Sequence, residues 1–109
     1  MSKVIQVTDE NFYSEVVKGK MPLMTEFYAT WCTHCQNMAP IVAELAEEFS
    51  GRMNIYAADI DKTTKAAGAY GVSGIPTFVF FKDEDHYEKF SGETSKAYLK
   101  QKLEELLKK

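Results

Sequence analysis

Residues Thr30–Gln36 read TWCTHCQ. The stretch holds both cysteines of the chain, with two residues between them, directly behind its only tryptophan. Upstream, Pro22 opens a segment, Leu23 to Ala29, that reads as a strand. Downstream, Met38, Ile41, Val42, Leu45, Ala46 and Phe49 recur three and four apart, which predicts a helix from Cys32 to Phe49. Pro40 falls inside that helix and should kink it, because proline lacks the backbone donor. Cys32 therefore sits where a strand gives way to a helix, and that junction organises the rest of the chain.

Nearer the N-terminus, Val4 to Val7 is a short β-branched run suited to an edge strand. Thr8 or Asp9 can cap a helix over Asn11 to Lys18, which Gly19 ends. Met53 to Ala58 is a strand, and Asp59 or Asp61 starts a short helix through Ala67. After the loop Tyr70 to Gly74 come Ile75-Pro76 and the buried strand Thr77 to Phe81. Asp83 to Asp85 form a turn into the strand His86 to Ser91, and Ser95 caps a last helix whose stripe is Tyr98, Leu99, Leu103, Leu106 and Leu107. Strands separated by helices imply parallel pairing by right-handed crossovers, and the hairpin adds an antiparallel pair. The expected fold is α/β, a mixed central sheet of about five strands with helices on both faces, in one domain over residues 1–109.

Three roles are open to the cysteine pair. Cysteines at i and i+3 on one turn can form a disulfide, but so small a loop adds little stability, which argues against a staple. Zinc needs four ligands, and beyond the pair the chain has only His34, His86 and carboxylates to offer. His34 lies between the cysteines and converges poorly with them on one ion. A redox pair fits best. At a helix start Cys32 faces unpaired N–H groups and the positive end of the helix dipole, so its thiolate should be favoured and its reactivity raised. Cys35, one turn in, should be more buried and less acidic. Cys32 would attack a disulfide and Cys35 would resolve the mixed disulfide.

The 109 residues suit one core, and 45% hydrophobic content is ordinary for a globular chain. A net charge of −3, with no basic tract beyond the closing Lys108-Lys109, argues against nucleic-acid or membrane partners. MSKVIQVTDE lacks the apolar centre of a signal peptide, which makes the cytoplasm the expected location. In a reducing compartment a close cysteine pair is more often catalytic or metal-binding than structural.

Several separated features, taken in order, resemble the thioredoxin family nearly end to end: Glu26-Phe27-Tyr28-Ala29 before Trp31-Cys32, Pro40 in the long helix, Gly74-Ile75-Pro76-Thr77, and Phe90-Ser91-Gly92 before the last helix. The resemblance implies a thioredoxin fold with a cis Ile75–Pro76 bond whose loop faces the cysteines. It also implies a substrate groove lined by Trp31, Thr33, Gly74, Ile75, Pro76 and Gly92. Glycines there would let a partner backbone approach. For Trp31 the plainer alternative is core packing. No cofactor is implied beyond the Cys32–Cys35 couple itself. The implied partners of a monomeric enzyme are disulfide-containing proteins and a thioredoxin reductase as electron donor.

The chain departs from the family pattern at three points. Thr33-His34 replaces the usual Gly-Pro, and a histidine before the second cysteine is similar to the protein disulfide isomerase motif. An imidazole donating to the Cys32 thiolate would stabilise the dithiol and make the disulfide more oxidising; a solvent-facing His34 is the plainer alternative. Glu26 stands where the family has a buried aspartate. If it is buried, desolvation should raise its pKa and suit it to exchange protons with Cys35; a solvated rim position would remove that role. Ala58 stands where many members carry a lysine near that acid. The expected function is reduction of protein disulfides. Alternatives are a disulfide oxidase or isomerase, favoured by His34, and an interaction subunit whose cysteines are incidental.

Overall fold

The protein, described here by a computed structural model covering residues 3–108, is built on one five-stranded sheet. Met1, Ser2 and the closing Lys109 lie outside the described residues. The strands are β1 (Ile5–Val7), β2 (Leu23–Tyr28), β3 (Asn54–Asp59), β4 (Thr77–Asp83) and β5 (His86–Ser91), in spatial order β1-β3-β2-β4-β5. β1 and β2 both run parallel to β3, while β4 lies antiparallel to both β2 and β5. The mixed α/β sheet expected from the strand and helix order is the one observed.

The helices are α1 (Thr33–Glu48), α2 (Thr64–Ala69) and α3 (Lys96–Leu107). Alternation along the strands sends successive side chains to opposite faces, giving two cores. On one face Met24, Ile55, Phe78 and Phe80 pack under Met38, Val42 and Leu45 of α1 and Leu99 and Leu103 of α3. On the other, Leu23, Phe27, Tyr56, Val79 and Phe81 pack against Phe12, Val16 and α2. Pro40 sits inside α1, which runs unbroken through the missing donor.

Three local expectations change. The segment expected as a helix over Asn11 to Lys18 closes only a five-residue π-helical turn, Tyr13–Val17. Asp9, expected as its cap, instead accepts from Lys65 N and Ala66 N at 3.0 and 3.1 Å, and so satisfies the open end of α2 from across the fold. α2 begins at Thr64, later than Asp59 or Asp61; the Asp59 carboxylate accepts from Asp61 N at 2.9 Å in the turn before it. Ser95 caps α3 as expected, its Oγ accepting from Tyr98 N at 3.1 Å.

Candidate active site

The site forms at the C-terminal end of β2, where the chain turns into α1. Cys32 is the N-cap of α1, with extended backbone (φ −92°, ψ 119°), and its Sγ accepts from Cys35 N at 3.4 Å. Serine or aspartate ordinarily fills this position with an oxygen; here a sulfur does. The N–H groups of the first turn and the helix dipole both favour negative charge on that sulfur. Both cysteines are free thiols, packed with Ala29 and flanked by Tyr28, Ile60 and Ile75.

Cys35 lies deeper, 4% exposed against 9% for Cys32. Burial, followed by its hydrogen bond with Cys32, pushes the Cys35 thiol up to about 12. The two sulfurs thus differ in kind. One caps a helix N-terminus, and the other is held as a thiol behind it.

Glu26 is beneath them and 5% exposed. Its register neighbours are Ala57 on β3 and Phe78 on β4, so it points to the α1 face of the sheet. Among the described residues no protein group hydrogen-bonds to its carboxylate. Desolvation alone raises Glu26 to about 7. The solvated alternative for this residue does not hold. The small neighbour is Ala57, not Ala58. Ala58 pairs with Phe27 and faces the opposite core, because a one-residue step along a strand reverses the face.

The Ile75–Pro76 peptide is cis, and the Ile75 carbonyl oxygen lies 4.0 Å from Cys32 Sγ. Met21–Pro22 is also cis, which no feature of the sequence had indicated. Gly74 leaves open space where a Cβ would stand, and its carbonyl accepts from Thr77 Oγ1. Gly92 holds φ +109°, a conformation that favours glycine, and its N–H donates to the Pro76 carbonyl at 2.7 Å. Trp31 is 66% exposed, with Nε1 donating to Asp61 at 3.3 Å, which rules out core packing. Thr33 is exposed on the first turn of α1. The structure therefore sets Ile75 beside the Cys32 sulfur, with Trp31 and Thr33 as that cysteine's chain neighbours and the Gly92 turn bonded to Pro76.

His34 is placed differently from the expectation. Its Nδ1 lies 2.8 Å from Glu93 Oε1, and Asn37 Nδ2 donates to the same oxygen at 3.3 Å. No hydrogen bond joins the ring to either cysteine among the described residues. The ring turns instead toward the segment after Gly92, where Glu93 engages it. Glu93, next to Gly92, is the contact that sequence reasoning missed.

The family model described as Thioredoxin matches residues 3–105. The chain belongs to the thioredoxin family. It is 35% identical to Thioredoxin 1 of Nostoc sp. over 107 residues, covering 98% of this chain and all of that one. It is 34% identical over 108 residues to the Thioredoxin of Buchnera aphidicola subsp. Schizaphis graminum, covering 99% of this chain and all of that one. Against the chloroplastic Thioredoxin M-type of Pisum sativum the identity is 35% over 104 residues, 60% of that longer protein. The chain is thus a thiol–disulfide oxidoreductase, a protein-disulfide reductase whose redox centre is a cysteine pair and which requires no separate cofactor. Thioredoxins work with disulfide-bearing targets and with a thioredoxin reductase. Among the described residues no helix is long and apolar enough to cross a membrane.

Proposed function

We propose that Cys32 is the attacking sulfur, Cys35 the resolving one, and Glu26 the group that takes the Cys35 proton. The carrying observation is the asymmetry of the two thiols: Cys32 Sγ caps a helix, whereas burial holds Cys35 protonated. The Cys32 thiolate attacks one sulfur of a substrate disulfide. A Cys32–substrate disulfide forms, and the departing substrate sulfur takes a proton from solvent. Cys35 then passes its proton toward Glu26, whose carboxyl is half ionised near neutral pH, and attacks Cys32 Sγ. The second substrate thiol leaves, and the protein keeps the disulfide. Two electrons have passed to the substrate, and a thioredoxin reductase returns them.

Trp31, Thr33, Gly74, Ile75, Pro76 and Gly92 form the rim that receives an extended substrate segment. Support comes from the exposed indole, the open space over Gly74 and the closeness of Ile75 to Cys32. Engagement of His34 with Glu93 rather than with Cys32 favours the reducing role over an oxidase or isomerase. A dithiol that must be kept reduced fits a reducing compartment, which supports the cytoplasm. The single sheet shared by both cores supports one domain. The test is reduction of insulin disulfides with dithiothreitol as electron source. The Cys32→Ser, Cys35→Ser double variant should lose all rate above the uncatalysed reaction, and an unchanged rate would make the cysteines incidental.

A further inference from the structure

His34, Asn37 and Glu93 form a polar cluster that ties the first turn of α1 to the segment after Gly92. His34 and Asn37 are three apart on the helix, so both present donors on one side, and Glu93 Oε1 receives both. We infer that Glu93 is a positioning residue that holds the His34 imidazole away from Cys32 and so keeps the cysteine couple reducing. The inference rests on the proposed exchange at Cys32 and Cys35.

The chemistry follows from which nitrogen carries the proton. A carboxylate only accepts, so in the neutral ring the Nδ1 facing Glu93 is the protonated one, and Nε2 is left with a lone pair. That nitrogen has no proton to donate to a thiolate. In the imidazolium both nitrogens carry protons, but the Glu93 charge 2.8 Å away offsets the positive charge seen by the sulfur. In either state the dithiol loses the stabilisation that an unengaged histidine would supply. The Glu93 carboxyl is in turn held below the ordinary carboxylate range, first by His34 and then by Asn37. Both partners are exposed, with side-chain exposures of 69% and 41%, so the hold is weak and its effect modest.

The test is the equilibrium of the Cys32–Cys35 couple with glutathione, measured on the full chain at neutral pH and low salt. Glu93→Ala should shift the equilibrium toward the dithiol by roughly threefold to fivefold. At 29.6 mV per decade for two electrons, that is about 14 to 21 mV more oxidising. In a His34→Ala background the same Glu93→Ala change should move the equilibrium by less than about 1.5-fold, because a merely structural role would not depend on His34. An unchanged equilibrium in the His34 protein, or a full-sized shift persisting in the His34→Ala background, overturns the inference. The second result would mean that Glu93 acts on the sulfur by its own charge. Failure to observe any Cys32–Cys35 couple would instead overturn the proposed exchange itself, and this inference with it.

Discussion

Glu26 and His34 are two ionisable groups flanking the cysteine pair, one on the floor of the site and one on its rim. Glu26 is buried with no hydrogen-bond partner among the described residues, and desolvation carries it from an ordinary carboxylate value to about 7. His34 is exposed and has a partner in Glu93 at 2.8 Å. Removing water from a charge with nothing to replace it changes proton affinity strongly, whereas an exposed pair remains screened by solvent. The floor should therefore control proton movement, and the rim should adjust recognition and potential by smaller steps.

Glu26→Gln attacks the floor directly. Without the proton acceptor, release of the mixed disulfide at pH 7 to 8 should slow by about a hundredfold. Single-turnover kinetics measure that step, and an unslowed release would show that water alone takes the Cys35 proton. The same variant tests burial through stability. A folded pKa near 7 against an unfolded value of 4.5 means the native state binds the extra proton between those values, so stability is fully present below pH 4.5 and is lost as pH rises through 7. At 1.36 kcal/mol per unit, the ionised carboxylate costs about 3 kcal/mol above pH 8. Glu26→Gln should recover most of that in urea unfolding at pH 8 and almost none at pH 4. Equal gains at both pH values would place the carboxylate in water.

On the rim, Trp31→Ala should raise the KM for a protein disulfide by about tenfold, as for an exposed aromatic anchor. The rate with a small disulfide should change much less. A loss equal for both substrates would assign Trp31 to positioning the cysteines. The smallest effect is expected from His34→Ala, which should shift the couple by less than about threefold, or 14 mV, because Glu93 already engages the ring. A shift of a full decade would mean that the imidazole reaches Cys32 in solution.

The same contrast separates what the sequence revealed from what it did not. Cys32 at a strand-to-helix junction, the continuous apolar run of β4 and the Ser95 cap are local signals, legible because they depend on neighbouring residues. Asp9 looked like the cap of its own segment and caps α2 instead, a contact made only when β1 and β3 pair. Ala58 was one residue out of register for a neighbour of Glu26, which exact strand pairing alone decides. His34 and Glu93 are 59 residues apart, and only the Gly92 turn, closing on Pro76, brings them together. The dithiol chemistry was readable; its electrostatic surroundings depended on tertiary closure.

Capture of the mixed disulfide tests the division of labour between the two sulfurs. Cys35→Ser and Cys32→Ser proteins would each be mixed with a disulfide-bearing peptide, and the covalent adducts read by intact mass. A lasting adduct is expected at Cys32 in the Cys35→Ser protein and almost none in the Cys32→Ser protein, whose remaining thiol is buried and protonated. Equal adduct formation by the two variants, or a faster adduct at Cys35, would contradict it.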